Sequence, residues 1–207
     1  MNANPGPAAV SPQTARWVVV ACVLMLVIGL GGVGCLVFRS VRPSADEAAR
    51  IDSAAAGMSF VPPEGWEQNP RGNDHLIFGQ VALRQSGSGS GSGMILLGKL
   101  DRTLFAAAES DDGAAACGLA GGMGAFFFPS SGEQVDTSCA EVKGRAVQGR
   151  SCFHRIVFNG SSNPPAEVYG AVVRRGVYRW WVTWLGDATA PVDREAAARL
   201  AKSIRPL

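Results

Sequence analysis

Two histidines, His75 and His154, and five cysteines carry most of the chemistry open to this chain. Cys152 and His154 stand two apart in a run of strand character, so their side chains share a face. A thiol beside an imidazole is the start of a Cys–His nucleophile. No third group to orient the imidazole and no oxyanion donors stand out, so the pair reads as a disulfide cysteine beside a surface histidine. Zinc wants about four ligands. Neither CxxC nor HExxH spacing occurs, so no metal is expected. Asp111-Asp112 and Asp46-Glu47 are adjacent carboxylates and read as solvated cap or stalk charges. The stretch SGSGSGSG, residues 86–93, is glycine-rich enough to cradle a phosphate, but no Lys-Ser/Thr pair and no helix follow it. It reads as a flexible hairpin loop. No catalysis and no cofactor are expected.

The cysteines also bear on compartment. Cys22 and Cys35 fall in a long apolar run, and Cys117, Cys139 and Cys152 fall in the remainder of the chain. Two of those last three can pair only under oxidising conditions. The expectation is one disulfide that includes Cys139, which lies between the other two in sequence, with one cysteine left over. Which two pair stays open.

Residues 17–38, WVVVACVLMLVIGLGGVGCLVF, form 22 positions without a charge and without a polar face. As a helix they span about 33 Å, enough for a hydrocarbon core of about 30 Å. Cleaved signals have shorter apolar runs, about 7–15 residues, so an uncleaved transmembrane helix is expected. Gly32-Val33-Gly34-Cys35 lacks the aliphatic residue of a lipidation site. Arg16 precedes the run and Arg39 and Arg42 follow it, a count that by itself places the large domain inside the cell. The cysteines, and the resemblance described below, place it outside.

All 17 acidic residues lie after residue 43, against 16 of the 19 basic ones, so the rest of the chain is close to neutral. A neutral domain has no electrostatic case for nucleic acid. The organisation expected is a polar, Pro-containing tail over 1–16, the membrane helix over 17–38, a stalk over 39–56 and one domain over 57–207.

The domain alternates short apolar runs with turn signals. Leu76 to Leu83 and Met94 to Leu100 flank the Gly/Ser loop as two strands. Residues 103–125 are alanine-rich and predict a helix with an acidic first turn and close packing contacts. Phe126-Phe127-Phe128 reads as core. Residues 134–158 predict strand, turn at Gly144, and strand, and Val168 to Leu185 a hairpin around Arg175-Gly176. Val192, Ala196, Leu200 and Ile204 share one face of a last helix that Pro206 stops. The sum is six or seven strands and two or three helices, an α+β domain on an antiparallel sheet.

From Gly57 onward the chain resembles the alanine- and proline-rich secreted antigens of actinobacteria, the fibronectin-attachment protein family. The resemblance runs through Gly57-Met58-Ser59-Phe60, Pro63-Glu64-Gly65-Trp66, Leu97-Gly98-Lys99-Leu100-Asp101, Ala114-Ala115-Ala116 with Met123-Gly124, and the whole of residues 179–207. It implies export, a compact Mog1/PsbP-like α+β domain, and binding of fibronectin through an Arg-Trp-Phe-Val tetrapeptide. The matching positions are Arg179-Trp180-Trp181-Val182, with Trp in place of Phe. The function expected is a membrane-anchored extracytoplasmic binding or adhesion protein. The alternative is a cell-envelope structural or assembly module that contacts wall polymer or a membrane partner.

On a strand the tetrapeptide must split between two faces. Trp180, Val182 and Trp184 share one, and Arg179, Trp181 and Thr183 the other. The first set is expected to pack under the C-terminal helix. Large aromatics dominate small cores, so the tryptophans are expected to be mostly interior and the tetrapeptide a structural strand. The alternative is that the motif binds a partner, and then Arg179 and Trp181 are the expected presented face, since Arg and Trp commonly anchor interfaces.

Overall fold

The computed structural model describes residues 49–69, 76–86, 93–101, 104–159 and 163–207. The expected tail, the membrane helix over 17–38 and His75 lie outside the described residues. No helix among the described residues is long and apolar enough to cross a membrane.

Ten strands and two α-helices make up the described fold. In chain order these are β1 (Ile51–Ser53), β2 (Met58–Phe60), β3 (Trp66–Gln68), β4 (Val81–Gln85), β5 (Met94–Lys99), α1 (Asp112–Phe127), β6 (Gly132–Lys143), β7 (Gln148–Phe158), β8 (Ala166–Arg175), β9 (Tyr178–Asp187), α2 (Arg194–Ser203) and β10 (Arg205–Pro206). A seven-stranded antiparallel sheet runs β3-β4-β5-β9-β8-β7-β6, and a small sheet runs β1-β2-β10. The α+β antiparallel class is therefore as expected.

The hairpins follow their turn residues. β4 and β5 pair across the Gly/Ser segment, and β6 and β7 pair across a turn that holds Gly144. β8 and β9 are joined by Gly176-Val177, with Gly176 at φ 59°, a left-handed conformation that glycine adopts without strain.

The two helices cover opposite faces of the large sheet. On one face Trp180, Val182, Trp184, Tyr169, Ala171 and Val173 pack with α2 and the small sheet. On the other, Trp181, Val172, Val168 and Cys152 pack with α1. Central strands buried on both faces need apolar residues at successive positions rather than at alternate ones. Trp180 to Leu185 is such a run, with Thr183 as its single polar member.

The α2 helix forms as its pattern requires. Val192, Ala196, Leu200 and Ile204 are all buried. The Asp193 carboxylate caps it by accepting from the Glu195 and Ala196 amides at 3.0 and 2.9 Å. The α1 helix starts later than expected, with residues 105–108 in a short 3-10 turn ahead of it. Asp111 caps it, accepting from the Ala114 amide at 2.8 Å.

The small side chains of α1 allow the close packing expected of it. Gly170, on β8, is where the helix comes nearest. A Cβ there would stand 2.8 Å from the Ala116 carbonyl oxygen and 2.9 Å from the Ala120 nitrogen. Both obstacles are helix backbone, so the helix itself must move. Gly170→Ala is therefore expected to destabilise the domain by about 1–3 kcal/mol, the usual cost of overpacking. A urea melt would show it, and an unchanged midpoint would mean that α1 rides on the sheet more loosely than this.

Two expectations are corrected here. The stalk over 39–56 does not extend to 56. Ile51–Ser53 pairs with Met58–Phe60 as an antiparallel strand, and Ala56 is fully buried. The sequence hid this because Ala54-Ala55-Ala56 looks like linker. Phe126 is not core: it is 48% exposed near the end of α1, while Phe127 and Phe128 are half-buried. Phe78 gathers Phe126 and Phe127 edge-on at 4.8 and 6.4 Å between ring centroids.

Candidate functional site

The tetrapeptide Arg179-Trp180-Trp181-Val182 lies on β9, between β5 and β8. Its register sets Trp180 against Lys99 and Val173, and Trp181 against Gly98 and Val172. Trp180 is 2% exposed, Trp181 1% and Val182 0%. The expected packing of Trp180, Val182 and Trp184 with α2 holds. The indole of Trp180 also donates to the Ala56 carbonyl at 3.0 Å, tying the β1–β2 turn to the sheet. Trp184 meets Trp66 edge-on at 4.7 Å.

The other face follows the core reading of the tryptophans and not the presented one. Trp181 is not presented, because α1 covers it. Glycines at Gly79 and Gly98 make room for its ring. A Cβ at either would stand 3.1 Å from a Trp181 ring atom. Arg179 is turned inward as well. Its Nε and a terminal nitrogen reach Asp112 Oδ1 at 3.1 and 3.0 Å, and its other terminal nitrogen donates to the Glu109 carbonyl at 2.7 Å. Arg174 donates to the second Asp112 oxygen at 2.5 Å and to the Ser110 carbonyl at 3.0 Å. The hydrogen bond to Asp112 raises the Arg174 guanidinium above its ordinary value. One carboxylate at the start of α1 therefore clamps two arginines from the β8–β9 hairpin. Asp112 reads in sequence as a solvated charge, and the structure buries it. Its partners are 62 and 67 residues away, which no local pattern announces.

What the hairpin does present is its tip. Val177 is 89% exposed and Tyr178 56%, with Lys99 over the Tyr178 ring at 5.7 Å. Neither residue belongs to the tetrapeptide, although Tyr178 immediately precedes it.

The three domain cysteines come together. Cys139 and Cys152 are paired across β6 and β7 with Cα atoms 4.2 Å apart, and Cys117 on α1 has its Cα 5.1 Å from that of Cys152. Cys152 is within disulfide reach of both others, so it, not Cys139, is the shared partner. Its central place comes from β7, which lies under α1 and beside β6; sequence order does not reveal it. The three sulfurs lie within 4.8 Å of one another and as thiolates could gather round one soft metal ion, without the CxxC spacing. His154 is buried, not a surface residue, and its Nδ1 has no hydrogen-bond partner among the described residues. Burial lowers its pKa below the usual imidazole value. Residues 87–92 of the Gly/Ser loop lie outside the described residues.

Fold and site together define a small α+β domain whose aromatic strand is interior and whose arginines are held by an internal carboxylate. The model of the fibronectin-attachment protein (FAP) domain matches residues 50–207, and the chain belongs to that family. The alanine and proline-rich secreted protein Apa of Mycobacterium bovis is 33% identical over 177 residues, covering 76% of this chain and 54% of that protein. The Apa protein of Mycobacterium leprae is 32% identical and covers 76% and 61%. The chain thus spans little more than half the length of the curated relatives it matches. The solution structure of cyanobacterial PsbP (CyanoP) from Synechocystis sp. PCC 6803 aligns with a TM-score of 0.48 at 10% identity, covering 80% of this chain and 97% of that one. The α+β assignment stands on the sheet and helices of this chain, not on that likeness.

Proposed function

We propose that this protein is a membrane-anchored attachment protein. In this reading residues 17–38 cross the bilayer and the folded domain faces outward, where it binds fibronectin or another extracellular or cell-wall partner. The observation that carries the reading is the extent of the family match. It spans residues 50–207, and every described strand and helix lies within it. Export is supported by the relatives' printed description as secreted, and by cysteines that sit within disulfide reach. The Mog1/PsbP-like placement of the fold belongs to this proposal as well, supported by the layering of helix, sheet and helix.

A fold that buries the tetrapeptide changes how binding must work. Arg179, Trp180, Trp181 and Val182 build the scaffold, and a partner meets the surface that scaffold supports, with the Val177-Tyr178 tip the nearest exposed part. The same burial favours the second reading, a cell-envelope assembly module without a fibronectin role. One experiment separates the two. Protoplasts that display the full chain are incubated with soluble fibronectin, before and after external protease. The proposal expects fibronectin to be retained, and lost once protease removes the domain. Digestion without prior fibronectin retention moves the assignment to the envelope module. A domain protected until the membrane is lysed overturns the outward topology.

A further inference from the structure

Three sulfurs meet where α1 lies over β7 beside the edge strand β6, and only two of them can be joined at once. Cys152 is fully buried, Cys117 is half-buried on α1, and Cys139 is exposed on β6, which forms one edge of the sheet. The Cα separations from Cys152 are 5.1 Å for Cys117, within the usual disulfide range of about 4.4–6.8 Å, and 4.2 Å for Cys139, just below it. The Cys117 and Cys139 sulfurs are 3.2 Å apart. Whichever bond forms at Cys152, the remaining thiol stands against it, which is the reactant arrangement for thiol–disulfide exchange. A purely structural staple needs two cysteines. Gly170, opposite Cys152 on β8, lets α1 come low enough to bring the third one in.

We propose that Cys117, Cys139 and Cys152 form a thiol–disulfide exchange centre. It holds one disulfide at two alternative positions and captures one half of an external low-molecular-weight disulfide as a mixed disulfide at Cys139. In the internal step the Cys139 thiol gives its proton to water and the thiolate attacks Cys152 Sγ. The Cys139–Cys152 bond forms and the Cys117–Cys152 bond breaks. Cys117 Sγ leaves with the electron pair and takes a proton from water. Two electrons stay shared in one disulfide throughout, so no oxidant is needed. In the external step the co-reactant is a low-molecular-weight disulfide. The Cys139 thiolate attacks one of its sulfurs, the sulfur–sulfur bond of the reagent breaks, and its other half leaves as a thiol. The protein keeps Cys117–Cys152 and carries the captured half on Cys139. In the alternative isomer Cys139 is used up and the free thiol is the less accessible Cys117. The internal exchange thus decides whether the centre shows its thiol to the outside.

The test uses the full-length chain in detergent, oxidised in air. Free thiols are trapped by acid quenching and alkylation, and peptides are mapped without reduction, so that each cysteine, Cys22 and Cys35 included, is read separately. The expected result is a mixture of Cys117–Cys152 and Cys139–Cys152 peptides. Oxidised glutathione should then cap Cys139, and the Cys139–Cys152 peptide should disappear as the population drains into Cys117–Cys152. Cys117→Ser should leave only Cys139–Cys152, and Cys139→Ser only Cys117–Cys152 with no glutathione adduct at either position. A single linkage whose share glutathione does not change overturns the proposal. So does recovery of all three as thiols bound to zinc or copper(I), which would make the cluster a metal site.

Discussion

Trp181→Ala is expected to destabilise the domain by about 3–5 kcal/mol, as severely as Trp180→Ala, although the two indoles lie on opposite faces of the same strand. Trp180 is buried against α2 and the small sheet, and its ring nitrogen is bonded to the Ala56 carbonyl. Trp181 is buried against α1 and fits a space kept clear by Gly79 and Gly98. Neither cavity can collapse cheaply, because one wall of each is the backbone of a central sheet. Domains of this size are stable by about 5–15 kcal/mol, so either change removes a large share of the total. Urea denaturation of the full chain in detergent, followed by far-ultraviolet circular dichroism, gives both numbers. A Trp181→Ala protein with wild-type stability would falsify the two-sided burial and return Trp181 to the surface. The prediction also sets a rule for functional tests. Fibronectin binding lost with either tryptophan follows from unfolding and says nothing about contact. Tyr178→Ala, at a position 56% exposed, is the informative change near the tetrapeptide, since it leaves the interior intact.

Much of this fold is legible in the sequence wherever one local pattern decides the outcome. The α2 helix has a polar face, an acidic cap and a proline stop, so its period names the buried side. The hairpins follow Gly144 and Gly176: Gly176 takes a left-handed φ of 59°, and at Gly144 a Cβ would collide with the Lys202 carbonyl oxygen. The second covered face of β9 is harder to read. Alternation assigns Trp180 and Trp181 to different sides, but it does not say whether each side meets water or a helix. The signal was present in the run from Trp180 to Leu185, apolar on both faces except at Thr183, which a sheet with one solvated face would not need. α1 hides its role for the opposite reason. Alanine and glycine surround it almost evenly, so no stripe marks the face that lands on Gly170 and Trp181. The cysteine cluster and the arginine clamp join residues that are 13 to 67 positions apart, and only the finished topology brings them together.

Asp112→Ala should cost about 2–3 kcal/mol, an unusual loss for a carboxylate that reads in sequence as one of a solvated pair. Exposed ion pairs contribute about 0–1 kcal/mol. Breaking a fully buried pair costs about 3–5 kcal/mol, because the partner is left charged and unsatisfied. Asp112 falls between these limits and nearer the second. Its side chain is 11% exposed, against 17% for Arg179 and 36% for Arg174. Removing it strands Arg179 in the interior, while Arg174 can turn partly to water. It also takes a negative charge from the first turn of α1, where the helix dipole favours one. Arg174→Ala should cost less than Asp112→Ala, since Arg179 keeps its partner and only the more exposed contact is lost. Most of the Asp112 effect should survive in 1 M salt, where the screening length falls to about 3 Å and exposed pairs are weakened most. Denaturant melts of the three proteins at low and high salt measure all of this. A loss below about 0.5 kcal/mol, or one that salt abolishes, would place Asp112 among ordinary surface charges. It would also free Arg179 for an outside partner. With the clamp intact, the arginine of the tetrapeptide is committed to its own domain before any partner arrives, and so are the two tryptophans and the valine that follow it.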